Sequence, residues 1–430
     1  MKEKFQKLIK KKFIKNVFIV ASGTAMAQFI ALLSSPFITR LYGPEAYGMM
    51  GVFQSVTLII IPIAALTYPV AMVLPKSNDE AKGLAKLSFN LSIILAILLF
   101  ISLLVFHKNL ILLLNMEEFG LLVYLLPLVI LFSGSMEINE QWLLRTGQFK
   151  IVANTKLWRS ILVNGGRLGG GLYSPHAYIL IVLVALENAL RTFLIKIQLR
   201  SSNKKLYIFN VKHKSLYKLA REYKDFPMYR APQITIDRVS QNLPVLLLTS
   251  FFSPTAAGFF TIGRTVLNVP SQLIGKSIGD VFYPKISEAI NNKQNVVRLI
   301  LKSTFGLFII GMIPYGIIVC FGPHIFEIAF GKDWFIAGEF ARWMAIWSFF
   351  TLLDRPSTRA LPAFHAQRFQ LIYAVITLIV RVASFLGAYY LFADSTIAIA
   401  FFSIVASLLS LILILITLKI GTTIDEYNEV

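Results

Sequence analysis

The sequence predicts an all-α polytopic membrane protein of 12 transmembrane helices, arranged as two six-helix bundles related by a pseudo-two-fold axis along the membrane normal. Three observations predict it. Apolar residues are 56% of the chain and charged residues only 15%, against about 25% charged in an average soluble domain. Mean hydropathy is +0.68, and apolar runs of about 20 residues recur along the whole length, each able to cross roughly 30 Å of hydrocarbon. One short turn also appears twice, as TRLYGPEAYG from Thr39 and TSFFSPTAAG from Thr249. At a constant offset of 210, Thr39, Pro44, Ala46 and Gly48 correspond to Thr249, Pro254, Ala256 and Gly258, and Pro75-Lys76 answers Pro284-Lys285 with a one-residue slip. Pro and Gly break a helix and reverse the chain, so the two copies mark halves built to one plan. Six spans per half is an even number, which gives both halves the same orientation.

The net charge of +20 sets topology and does not point to nucleic acid. Lysines crowd the N-terminus, from Lys2 to Lys15, and the middle of the chain, from Lys196 to Lys224. Tyr173–His176, Ser253–Thr255 and Phe392–Ser395 carry no Lys or Arg. This alternation is the positive-inside pattern and places both termini in the cytoplasm. The single cysteine, Cys320, excludes an internal disulfide and a cysteine zinc site, and the five histidines are too scattered to suggest a metal centre.

In order, residues 1–15 predict a basic amphipathic segment: Phe5, Leu8, Ile9 and Phe13 share one helical face and lysines take the others. Ala25-Met26-Ala27 resembles a signal cleavage site, but the apolar run continues to Ile38 and the repeat needs this helix, so it reads as a retained span. The N-terminal bundle covers 16–198, with spans near 16–38, 47–73, 88–106, 120–141, 151–172 and 177–198. A basic cytoplasmic linker follows at 199–226. The C-terminal bundle covers 227–418, with spans near 229–252, 256–283, 299–321, 339–360, 369–391 and 395–418, and a cytoplasmic tail closes the chain at 419–430.

Charged side chains are costly in a bilayer, so those inside spans should face a cavity or a partner. In the seventh span Arg230, Asp237, Arg238, Gln241 and Asn242 share an arc of about 140°. In the eighth, Arg264, Asn268, Gln272, Lys276 and Asp280 recur every fourth residue, a ladder of about 24 Å. Pairing Asp237 with Arg238 or Arg230, and Asp280 with Lys276, would make them packing contacts. Cations outnumber anions, however, so a water-filled, net-cationic cavity is the reading preferred. The repeat places Gln28 opposite Arg238 and Gln54 opposite Arg264, adding amides from the first two spans. Asp237 and Asp280 are the candidates for coupling to H+ or Na+, with no other cofactor expected. Arg40 and Glu45, beside the first turn, are candidates for an outer gate.

Other features read as structural. Pro62, Pro69 and Pro270 can kink their spans. Gly165, Gly166, Gly169 and Gly170 have the spacing for close helix packing. Glu187 and Arg191 form an i, i+4 pair, and Asp354-Arg355 reads as interfacial.

TRLYGPEAYG resembles the opening signature of the polysaccharide-exporter branch of the multidrug/oligosaccharidyl-lipid/polysaccharide flippases. The stretch from Lys224, KDFPMYRAPQITIDRVSQNLPVLLLTSFFSPTAAGFFTIGRTVLNVPSQLIGKSIGDVFYPKISEA, is similar to the C-terminal domain of O-antigen and capsule repeat-unit flippases. The resemblance implies two bundles in a V around a central cavity. It also implies a non-enzymatic transporter of the bacterial inner membrane, moving oligosaccharide on undecaprenyl pyrophosphate to the outer leaflet. Family members commonly have a cationic lumen, which Arg230, Arg238, Arg264 and Lys276 match. Expected partners are this lipid-linked substrate, membrane lipids, a glycan polymerase and a chain-length regulator. The alternatives are a cation-coupled multidrug extruder of the same superfamily and a peptidoglycan-precursor (lipid II) flippase. A basic lumen suits cationic drugs poorly, and lipid II flippases usually carry two further helices. A membrane glycan polymerase, the enzymatic rival, typically has a large outer loop, and every predicted outer loop here is short. No GxxxxGK[ST] loop is present to bind ATP.

Overall fold

The computed structural model describes the backbone of residues 2–113, 117–201, 216–364 and 366–429, and the side chains among these except at 2–18, 110, 112, 113, 117, 118, 201, 273–281, 283, 284, 291, 367 and 427–429. The described chain is helical without strands. Among the described residues, seven stretches are long and apolar enough to span a membrane: 19–63, 78–105, 119–145, 177–200, 296–330, 368–392 and 395–426. The first holds two spans, because the helix is broken at Gly43. Four more polar helices, at Phe149–Tyr173, Ala231–Phe251, Pro254–Asn291 and Phe335–Leu353, bring the long helical segments among the described residues to the predicted twelve.

The chain divides into two compact units, Met1–Leu246 and Leu247–Val430. The first opens with α1, Lys2–Ile60, interrupted at Gly43 with φ 70° and ψ 173°, a conformation that glycine reaches without strain. Thr39, one turn earlier, is fully buried and donates its hydroxyl to the Ser35 carbonyl at 2.9 Å. The second span ends sooner than its hydropathy suggests. A 3₁₀ turn at Ile61–Ile63 and two left-handed residues, Leu66 (φ 48°) and Thr67 (φ 58°), lead into the short α2, Tyr68–Ala71. A β-branched Thr in that region is strained, at a cost of roughly 1–3 kcal/mol. Ser77 then starts α3, Asn78–Val105, by accepting the Asp79 N–H at 3.2 Å, and Asp79 and Glu80 suit the positive end of the helix dipole.

After α4 (His107–Leu113) come α5 (Leu126–Arg145), α6 (Phe149–Tyr173), α7 (Ala177–Ser201), α8 (Leu216–Glu222) and α9 (Ala231–Phe251), which runs on into the second unit. α1 and α6 meet through small residues: a Cβ on Gly23 would lie 2.6 Å from the Ala153 Cβ, and the Ser160 hydroxyl donates to the Ala27 carbonyl at 2.6 Å. The glycine run of α6 is two-faced. A Cβ on Gly170 or Gly171 would meet Ile179 at 2.6 Å or the Tyr42 ring at 2.7 Å, and one on Gly166 would meet Leu183 at 3.3 Å. Gly165 and Gly169, expected to pack like the others, meet nothing within 4 Å. Ile94, Ile97, Leu98, Ile101 and Leu104 of α3 are exposed, an apolar face suited to lipid.

The second unit repeats the opening. Its break falls at Ser253, 210 positions after Gly43, and Pro254 starts α10, Pro254–Asn291. Ser253 supplies the cap, its hydroxyl accepting the Ala256 N–H at 3.1 Å. α10 stays helical through Pro270. Then follow α11 (Val296–Phe330), α12 (Phe335–Leu353), α13 (Arg355–Ala363), α14 (Gln367–Phe392) and α15 (Ser395–Glu429). α11 and α12 cross backbone to backbone, since a Cβ on Gly322 would lie 2.8 Å from the Gly338 carbonyl oxygen. Phe259 meets Trp334 and Phe340 edge-on at 6.1 and 6.0 Å. Near the far end of α15 the Asp425 carboxylate accepts the N–H groups of Val296 and Val297, at 2.9 and 3.1 Å, and so caps α11.

Candidate functional site

α9 is preceded by one π-helical turn, Phe226–Arg230. Pro227 has no N–H to give, and the Phe226 carbonyl is instead reached by the N–H of Ala231, five residues on. Such wide turns cluster at functional positions. Arg230 ends the turn with its guanidinium carbon 5.7 Å from the Phe226 ring centroid, within cation–π range. Arg230, Asp237, Arg238 and Gln241 are all exposed, as the shared helical arc predicts. Asn242 departs from them. It is fully buried, and its amide donates to the Arg238 carbonyl at 2.7 Å.

On α10, Arg264 is half-buried and Asn268 and Gln272 are exposed. The side chains of Lys276 and Asp280 lie outside the described residues. Gln28 and Gln54 are half-buried on α1, and Arg40 and Glu45 are exposed on either side of the Gly43 break.

A second polar cluster in the first unit was invisible to spacing. Glu140 of α5 accepts from Lys156 of α6 at 3.2 Å and from Arg191 of α7 at 2.8 Å, while Arg159 of α6 pairs with Glu187 of α7. The expected Glu187–Arg191 pair is therefore replaced by two interhelical ones. The cross-helix pairs tie three helices together. Arg191 is only 5% exposed, with Nη1 also 3.1 Å from the Met136 sulfur. Asn188 donates to the Ser133 hydroxyl at 2.8 Å beside it. Glu137, one turn before Glu140, instead lies within electrostatic reach of Arg230. Arg167, also on α6, is half-buried, and its carbonyl accepts the Tyr42 hydroxyl at 2.8 Å.

The second unit has its own buried charge. Asp354, expected at an interface, is 8% exposed, hydrogen-bonded to Ser410 of α15 and facing Arg355 and Arg381. Arg381 of α14 lies 5.3 Å from the Trp347 ring and 6.0 Å from Phe402. Nothing in the one-dimensional pattern singled out Arg381, because it sits alone in an apolar run. Among the described residues, no group of three or more His, Cys, Asp or Glu side chains is placed to hold a metal ion.

Twelve long helical segments among the described residues, with lipid-suited outer faces and interhelical ion pairs, define a multi-pass membrane protein with a transporter fold. Solved structures of the multidrug/oligosaccharidyl-lipid/polysaccharide superfamily share it. The lipid II flippase MurJ in an inward closed conformation superposes with a TM-score of 0.71 at 15% identity, over 96% of this chain and 90% of that one. The multidrug transporter DinF-BH gives 0.67 at 14% identity, over 95% of each chain. A superfamily transporter from Pyrococcus furiosus, described as having a binding pocket of reverse polarity, gives 0.60 at 12% identity, over 97% of this chain and 96% of that one. No curated protein matches the chain by sequence. The family model for polysaccharide biosynthesis proteins matches residues 37–339, and the chain belongs to that family.

Proposed function

We propose that the protein is a flippase that carries oligosaccharide repeat units, linked through a diphosphate to undecaprenol, from the cytoplasmic to the outer leaflet of the bacterial inner membrane. Family membership narrows the pathway to polysaccharide biosynthesis. The single observation that carries the substrate class is the exposed cationic face of α9. Arg230 has no salt bridge or hydrogen bond to another described residue, whereas Glu140, Lys156, Arg159, Glu187 and Arg191 in the same unit are all paired. Exposed guanidinium groups bind phosphate by charge-assisted, often bidentate hydrogen bonds. Arg238, exposed on α9, extends the same chemistry, and Arg264 on α10 is proposed as a substrate contact of the second unit. Transport then proceeds by alternating access, with the polyprenyl tail left in lipid. Asp237, exposed beside Arg238, is the described candidate for coupling to a proton or sodium gradient.

Arg238→Ala and Arg264→Ala are each expected to abolish surface glycan assembly in a deletion strain while membrane insertion is unchanged. Normal glycan in both variants would remove the reading. Arg264→Lys separates geometry from charge, because lysine keeps only a point charge. Drug sensitivity in the deletion strain would favour a multidrug extruder, and rescue of a strain lacking its lipid II flippase would favour a peptidoglycan role.

A further inference from the structure

The π-helical turn that ends at Arg230 is fastened to the body of the first unit at several points. The Thr67 hydroxyl donates to the Phe226 carbonyl at 3.1 Å, in addition to the Ala231 N–H that the same carbonyl receives. The Phe226 ring packs on the buried cluster of Tyr68, Met72, Leu84 and Leu219, with the Tyr223 ring 6.4 Å away. Tyr68 holds the preceding helix as well, its hydroxyl donating to the Ala220 carbonyl of α8 at 3.1 Å. Thr67 makes its contact from a left-handed conformation, φ 58°, directly after a second left-handed residue, Leu66. Backbone strain kept at a clamp marks a position that the surrounding structure over-determines.

The Phe226 ring is thus anchored on its inner side, and the Arg230 guanidinium lies over it at 5.7 Å. Stacking engages the face of a guanidinium and leaves its N–H edges to donate. It also removes side-chain freedom before a ligand arrives, which improves affinity by preorganisation. Glu137 on α5 lies within electrostatic reach of Arg230; in sequence Lys224 and Asp225 precede the turn and Asp237 and Arg238 follow on α9.

We propose that Phe226, clamped by Thr67, is the positioning residue that presents Arg230 to the diphosphate of the lipid-linked substrate. The proposal rests on the substrate class inferred above and assigns its first point of contact to Arg230. Full-length protein in nanodiscs would be titrated with a short polyprenyl diphosphate, and with the corresponding alcohol as control. Arg230→Ala is expected to weaken diphosphate binding most. Phe226→Ala is expected to weaken it about five- to tenfold, in keeping with one partly desolvated cation–π contact. Phe226→Trp restores the face and should restore affinity, and Thr67→Ser should bind as wild type while Thr67→Val resembles Phe226→Ala. In an Arg230→Ala background, Phe226→Ala should add nothing, which a merely structural phenylalanine would not satisfy. Wild-type affinity in Phe226→Ala, failure of Phe226→Trp, or a Phe226→Ala effect that survives without Arg230 would each overturn the positioning role while leaving the substrate class intact. Wild-type protein that binds diphosphate and alcohol alike would overturn the substrate class and this inference together.

Discussion

Two polar regions of the first unit treat charge in opposite ways. Where α5, α6 and α7 meet, Glu140 holds Lys156 and Arg191 while Arg159 holds Glu187, and the group is half-buried around a buried Arg191. At the start of α9, Arg230, Asp237 and Arg238 are exposed, and Arg230 is stacked on a ring instead of paired with a carboxylate. The first arrangement answers the cost of charge in a low-dielectric interior, since a charge there must be neutralised and hydrogen-bonded. The second keeps a cation available and therefore has to be wet. On the function proposed above, the charges that hold the bundle and the charges proposed to meet cargo are separable, and the separation is testable.

The largest expected effect lies in the paired group. Glu140→Leu leaves Lys156 and Arg191 without their shared carboxylate and should destabilise the purified protein by about 3–5 kcal/mol, measured by thermal or denaturant unfolding in detergent. Adding Arg191→Met to that variant should recover part of the loss, and simple additivity of the two would break the idea that they act as one unit. An intermediate effect is expected on α6, whose two faces repeat the contrast on a smaller scale. Gly171→Ala drives a methyl against the Tyr42 ring and should cost about 1–3 kcal/mol, whereas Gly169→Ala meets open space and should be neutral or slightly stabilising. The smallest effect belongs to the exposed face. Arg238→Ala should leave the unfolding midpoint within about 0.5 kcal/mol of wild type even though transport fails. A large loss of stability there would mean that α9 carries structural charge after all.

Much of this architecture is readable in the chain itself. Periodicity and the 210-residue offset locate the long helices, and the offset reappears as two backbone breaks, at Gly43 and Ser253. The exposed arc of α9 follows from counting 100° per residue, because a helix has only one way to display those side chains. Three kinds of feature were hidden. Asn242 lies on the edge of that arc, where angle alone cannot tell exposure from burial. The partner of Glu187 is on another helix, and the i, i+4 neighbour Arg191 is a decoy that local spacing always offers. The early end of the second span at Ile60, with Leu66 and Thr67 left-handed, carries no glycine and has only Pro62 and Pro69 to announce it. It becomes intelligible once Thr67 and Tyr68 are seen holding the carbonyls of Phe226 and Ala220, contacts made across more than 150 positions of sequence.

The carboxylate of Asp425 has a practical corollary for anyone mapping which side of the bilayer each loop occupies. Reporter enzymes are commonly spliced onto truncated chains, and a junction placed upstream of Asp425 would strip the N–H groups of Val296 and Val297 of their acceptor, some 128 residues away in sequence. Such a chimaera would report on a frayed α11 as well as on topology. Splicing beyond Glu429 keeps that lock closed.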